Sequence, residues 1–160
     1  MVADIKITSN SIQIANEIKA MSRKMSSAIT KSLANVSSFE KDAIIDRTQN
    51  KGIDAYGRPF KPYSPSYKRA RVKQSGVVDL TDTGQMFNSL AFKASASKGV
   101  LFFRQNLANK KAAFHDEFGV GKKKITRQFF RISKDEAEKI RKRFGKLLFR
   151  ELEKWVKEKI

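Results

Sequence analysis

A chain of 160 residues with 40% hydrophobic content and twelve phenylalanines is long enough for one domain with a real core, which excludes global disorder. No apolar run approaches the ~18 residues of a membrane span, and without cysteine there are neither disulfides nor thiolate metal sites. Thirty-four Lys and Arg against sixteen Asp and Glu give a net charge of +18, a field that attracts polyanions: nucleic acid, a membrane surface or an acidic protein.

In chain order, Met1-Val2-Ala3-Asp4-Ile5-Lys6 lacks the basic-then-apolar pattern of a secretory signal, so folding in the cytoplasm is expected. Ile5 and Ile7 alternate with polar residues, which predicts a short strand. Asn10 or Ser11 then caps a helix whose apolar positions, Ile14, Ile18, Met21, Met25, Ala28/Ile29, Leu33 and Val36, follow a period near 3.6. Phe39, Ala43 and Ile44 carry a helical stretch that stops before Asn50-Lys51-Gly52. Ser37-Ser38 either caps it as a second helix or sits inside one long helix.

Residues 52–67 hold all three prolines and all three tyrosines of the chain. Proline fixes φ and lacks the ladder donor, which excludes a helix interior or an inner strand. Flexible linkers are poor in aromatics. Here Tyr56, Phe60, Tyr63 and Tyr67 recur every three or four residues. An ordered, extended arm with aromatic anchors fits both facts, and it must touch its own domain or a partner.

A basic patch follows, Lys68-Arg69-Ala70-Arg71-Val72-Lys73, and Gln74-Ser75-Gly76 reads as a turn. Thr81-Asp82-Thr83-Gly84 caps a short helix holding Met86, Phe87 and Leu90. Ala91-Phe92-Lys93-Ala94 and Val100-Leu101-Phe102-Phe103 predict a hairpin. A short helix from Asn109 to Phe118 ends at Gly119, and a basic loop of Lys122, Lys123 and Lys124 follows. Gln128-Phe129-Phe130-Arg131-Ile132 reads as a strand. Ser133 with Glu136 forms a capping box opening a last helix that buries Ala137, Ile140, Phe144, Leu148, Leu152 and Trp155. Gly145 inside it costs about 1 kcal/mol against alanine, so close packing or a bend is expected there.

These elements predict an α+β domain over residues 1–160. Two long amphipathic helices pack on a small, mainly antiparallel sheet. An extended Pro/Tyr-rich loop occupies about 50–67 and the C-terminal helix about 134–159.

Chemical motifs are sparse. Gly119-Val120-Gly121-Lys122-Lys123 fails the phosphate-loop pattern, which needs glycine where Asp116 stands and Ser or Thr where Lys123 stands. His115, the one histidine, lies beside Asp116 and Glu117, but adjacent helical residues point in three directions and do not converge on a metal. No nucleophile accompanies it, so a structural or interface histidine is expected. Pro59-Phe60-Lys61-Pro62 has Pro-x-x-Pro spacing, a pattern common by chance. Basic residues interleaved with Tyr56, Tyr63 and Tyr67 also suit a single-stranded nucleic-acid platform. Lys142, Lys146, Arg150 and Lys154, with Arg143 alongside, form a basic row opposite the last helix's apolar stripe, either a solvated face or a contact for a polyanion.

Four ordered blocks run from about Ile44 to Asp135. The first is Arg47-Thr48 with Gly52-Ile53-Asp54-Ala55, Gly57-Arg58-Pro59-Phe60 and Pro62-Tyr63-Ser64. The second is Asp79-Leu80-Thr81-Asp82-Thr83-Gly84-Gln85-Met86 with Ser89-Leu90. The third is Ala113-Phe114-His115 leading to Phe118-Gly119, and the fourth is Arg127-Gln128-Phe129-Phe130-Arg131-Ile132-Ser133.

In these blocks the chain resembles the bacteriophage virion-morphogenesis and tail-completion proteins, which join tail to head. The resemblance implies a non-enzymatic structural protein without cofactor, catalytic residue or metal. It implies a homo-oligomeric ring of about six copies at the virion neck, assembled in the host cytoplasm. Its partners would be other neck and tail proteins, with possible contact to packaged DNA and no membrane. The arm residues Tyr56, Arg58, Phe60, Tyr63 and Tyr67 would then meet a neighbouring subunit. Lys68, Arg69, Arg71, Lys122, Lys123, Lys124, Lys142, Lys146, Arg150 and Lys154 would face an acidic partner or DNA. A basic nucleic-acid-binding module is the alternative reading.

Overall fold

The computed structural model describes residues 11–71 and 76–158. The expected strand at Ile5 and Ile7, the cap at Asn10, and Val72, Lys73, Gln74 and Ser75 lie outside the described residues.

Helix α1, Ser11–Ile45, is continuous through Ser37-Ser38, so those serines do not break it. A single wide π-helical turn, Asp46–Asn50, ends it and buries Arg47 and Thr48. After the arm come α2 (Pro65–Ala70), α3 (Gln85–Asn88), the strands β1 (Leu90–Ala94) and β2 (Gly99–Phe103), α4 (Asn106–Ala113), a second π turn (Phe114–Phe118) and α5 (Lys134–Lys157). The fold is α+β. The hairpin is antiparallel, with Leu90 opposite Phe103 and Ala94 opposite Gly99.

α1 lies across the hairpin and carries α5 along its second half. The approach to β2 is close: a Cβ on Gly99 would stand 2.3 Å from Ser37 Oγ and 3.5 Å from Leu33 O. α5 runs antiparallel to α1, with Lys31 Nζ 3.5 Å from Glu151 Oε2, Arg143 Nε donating to Asn35 Oδ1 at 3.0 Å, and Arg143 4.6 Å above the Phe39 ring.

The core draws one or two residues from nearly every segment: Ile44, Phe60, Leu80, Met86, Phe87, Leu90, Phe103, Ala108, Ala112 and Phe129. Phe129 sits at its centre, with its ring 5.5 Å from Phe87, 6.5 Å from Phe103 and 6.1 Å from Phe130.

Residues 128–132 do not form the expected strand. Their backbone groups are taken by side chains and a local turn instead. Phe130 N donates to Asp116 Oδ1 at 2.9 Å, Phe129 N turns back on Arg127 O at 2.8 Å, and Arg47 Nη2 donates to the carbonyls of Phe129 and Arg131. With these groups spent, no neighbouring strand is needed.

Arg47 is the junction of this half of the fold. Its Nη1 meets Glu136 Oε1 and lies 3.6 Å from Glu40 Oε1. The other Glu136 oxygen accepts from Ser133 N at 2.9 Å, closing the expected capping box of α5. One arginine therefore joins the end of α1, the segment before α5 and the first turn of α5.

The α5 stripe is half-buried rather than buried. Gly145 marks neither close packing nor contact, since a Cβ there would meet nothing within 4 Å. Gly119 does need its freedom: φ is +81°, and a Cβ would stand 2.3 Å from Lys124 O.

Buried Glu40 and half-buried His115 pull stability in opposite directions with pH. Burial, with Glu136 beside it, pushes the Glu40 carboxyl up to about 7, despite Arg47. The folded state then keeps a proton that the unfolded chain loses near 4.5, so stability falls as pH rises from about 4.5 to 7. Burial, then Arg127, lowers His115 to about 4 from 6.5, so stability falls as pH drops from about 6.5 to 4. The two slopes offset each other. Glu40→Gln should expose a stability that rises with pH across this window, by roughly 2–3 kcal/mol, and His115→Asn the reverse slope. Urea unfolding at several pH values checks this, and parallel profiles for all three proteins would refute it.

Candidate functional site

The arm folds back on itself at its tip. Ile53 bridges Pro59, and the Asp54 carboxylate accepts from Tyr56 N at 2.8 Å, Arg58 N at 2.9 Å and Arg58 Nε at 2.7 Å. Tyr56 and Arg58 are exposed at this tip, with the guanidinium 5.0 Å over the ring.

The remaining anchors hold the arm to its own domain. Phe60 is in the core, which corrects its expected place in a subunit interface: its side chain has no surface left to offer. Half-buried Tyr63 accepts from Leu80 N at 2.9 Å and donates to Asp79 Oδ1 at 3.4 Å. This contact meets Leu80 in a left-handed backbone, φ +50°, uncommon for a leucine. Burial, then Asp79, pushes the Tyr63 phenol up to about 12. Arg127 completes the strap, with Nε donating to Lys61 O at 3.0 Å and Nη2 to Pro62 O at 3.2 Å.

The arm is not extended through Tyr67. Ser64 caps α2, accepting from Tyr67 N at 3.3 Å, and Pro65 supplies the preset φ of a first helical residue.

Arg71 also corrects the sequence expectation. It is buried and faces inward, with Nη2 2.6 Å from Asp79 Oδ1 and also donating to Thr81 O, and its guanidinium lies 4.8 Å over Tyr63. Asp79 is fully buried and further accepts from Thr81 N at 3.2 Å. This cation is spent inside the fold and is not part of a basic surface. Lys68 and Arg69 remain exposed on α2, as do Lys122, Lys123 and Lys124 on the turn between Val120 and Ile125.

A cleft of about 670 Å³ opens between the end of the arm with α2 and the 120–127 segment. Tyr63, Tyr67 and His115 form one side, Lys122 and Lys123 the rim, Val120 and Ile125 the apolar part, and Arg127 the inner wall. Tyr63 and Tyr67 stack at 5.0 Å with a 57° tilt. His115 Nδ1 is buried without a hydrogen-bond partner among the described residues. Burial holds the Arg127 guanidinium below its usual value, with the nearby phenols of Tyr63 and Tyr67 opposing the shift. Among the described residues no carboxylate lines this cleft.

The basic row of α5 lies elsewhere and is exposed. It is partly neutralised: Lys142 pairs with Glu138 at 2.7 Å and Lys154 with Glu151 at 3.4 Å. Acids therefore interleave with this row. Among the described residues no ion pair engages Lys146 or Arg150.

The first half of α1 is uncovered. Every residue from 12 to 27 is exposed, including Ile14 at 53%, Ile18 at 59%, Met21 at 50% and Met25 at 39%. α5 ends six residues past the Lys31–Glu151 pair, while α1 extends twenty residues past it. At 1.5 Å per residue, about 20 Å of α1 projects with no α5 beside it.

Sequence reading missed Arg127 and the hydroxyls of Ser64 and Ser66 as cleft residues, although Arg127 stood inside the fourth block. It read the α1 stripe as an ordinary packed face. Among the described residues no group of three or more His, Asp or Glu is placed to hold a metal, and no helix is long and apolar enough to cross a membrane. No family model matches the chain, and no curated protein or solved structure matches it significantly.

Proposed function

We propose that this chain is a structural protein of a phage particle, acting at the neck to complete the tail or join it to the head. The observation that carries the reading is the projecting apolar face of α1. Four large apolar side chains at spacings of four, three and four residues form one stripe on a helix that its own domain leaves bare. Each gains about 1.5–3 kcal/mol when fully covered, so a neighbouring subunit is the natural cover.

The four sequence blocks support the same reading. Their most distinctive residues build the frame: Arg47 and Phe129 in the junction and core, Asp54 in the arm tip, Phe60, Tyr63 and Asp79 in the strap. None of them is set out as a reacting group. Tyr56 and Arg58, exposed at the arm tip, suit contact with a neighbour in a ring of about six copies. The exposed cations of α2, the 122–124 turn and α5 suit an acidic neck or tail protein, or packaged DNA. The protein would act in the virion and assemble in the host cytoplasm.

Ile18→Glu with Met21→Glu tests the reading. Both positions are exposed, so helix content and melting should be unchanged. Purified tails should retain the wild-type protein on sedimentation and lose the variant by more than ten-fold, since two desolvated charges cost at least 1.4 kcal/mol. Equal retention of both, or of neither, would count against it.

A further inference from the structure

Arg127 is 4% exposed; its two bonds to the arm go to carbonyls and its guanidinium lies 5.2 Å over the Tyr63 ring, so it is held by neutral groups and by no carboxylate among the described residues. A buried cation calls for a counter-anion. None of the described side chains around the cleft supplies one. Lys122 and Lys123 add two exposed cations at the rim, and Ser66 adds a hydroxyl. Tyr67 stands beside them with 42% of its surface open.

We propose that this cleft binds one nucleotide unit of a single-stranded nucleic acid, with its phosphate held by Lys122, Lys123 and Arg127 and its base laid against the Tyr67 ring. The volume of about 670 Å³ lies within the range of small-ligand sites. An acidic peptide would match the cations but make no particular use of the aromatic wall. A base stacked on tyrosine next to a paired phosphate uses both, and this combination is the usual recipe for single strands. The inference stands or falls separately from the placement of the chain in a particle, because it rests on the cleft and not on α1.

The test is fluorescence anisotropy of a labelled oligothymidylate at fixed moderate salt, with the full chain. Tyr67→Ala should weaken binding roughly ten-fold. Lys122→Ala with Lys123→Ala should weaken it by a similar factor and flatten the salt dependence by about two ions. Lys93→Ala with Lys98→Ala, exposed on the hairpin and outside the cleft, should change it far less. Unlabelled oligothymidylate should displace the probe, and poly-glutamate of equal charge should not. Three results would each overturn the proposal: unchanged binding by Tyr67→Ala, an equal loss from the hairpin pair, or displacement by poly-glutamate as effective as by oligothymidylate. The last would assign the cleft to an acidic peptide. Circular dichroism of each variant checks that the fold is kept, and the lysine pair, fully exposed, preserves the test if Tyr67→Ala loosens the arm.

Discussion

Asp79→Ala should destabilise the protein by about 3–5 kcal/mol. Asp79 is fully buried, and it is the carboxylate partner of the equally enclosed Arg71. Removing the acid takes away the carboxylate that lies 2.6 Å from a guanidinium held inside the fold. It also removes the acceptor shared by Thr81 N and the Tyr63 hydroxyl. The arm's hold on the domain therefore weakens together with the ion pair. The comparison is Asp46→Ala, which breaks a solvent-screened pair with Lys51 and should leave the urea midpoint close to that of the wild type. Arg71→Met combined with Asp79→Leu should recover most of the loss, because an apolar pair of similar bulk carries no buried charge. Urea unfolding of the four proteins measures this. A loss of less than about 1 kcal/mol for Asp79→Ala would mean that the pair is hydrated and that the arm is held elsewhere.

Phe129→Ala is the second large effect, at about 3–5 kcal/mol. The side chain has no exposed surface and meets the rings of Phe87, Phe103 and Phe130. Alanine leaves a cavity between α3, β2 and the segment before α5, and the surrounding backbone is too tied to collapse into it. Arg47 holds the Phe129 carbonyl at 3.0 Å, and Asp116 holds the next amide. A domain of this size loses about 2–4 °C for each kcal/mol, so melting should fall by about 6–20 °C. Phe149→Ala, on the exposed side of α5, should change stability by less than about 0.5 kcal/mol. Calorimetry of the two variants separates a core phenylalanine from a surface one that the composition counts alike.

Much of the fold follows from short-range signals. The Ser133–Glu136 box, the stop at Gly119 and the hairpin around Ser95 and Lys98 were legible because each is decided within a few residues. Ser37-Ser38 was undecidable locally, since both serines are tolerated within a helix when the flanking turns continue.

What distant partners decide was not legible. In Lys68-Arg69-Ala70-Arg71 nothing local marks the last arginine as the one turned inward; Asp79, eight positions further on, does that. Gln128-Phe129-Phe130-Arg131-Ile132 reads as a strand, yet Arg47 and Asp116, outside the segment, claim backbone groups a neighbouring strand would need. Helical periodicity identified the α1 stripe but not its exposure, because periodicity reports which face is apolar and not whether anything lies against it. The candidate cleft was half visible: its tyrosines and lysines stood out, while the buried Arg127 between them read as framework.

The central claim, that the chain joins or completes the tail of a phage particle, is tested most directly by electron microscopy of particles assembled without it. The account predicts filled heads and finished tails lying apart, with joining restored when purified protein is added back. Intact, joined particles in its absence would contradict the account.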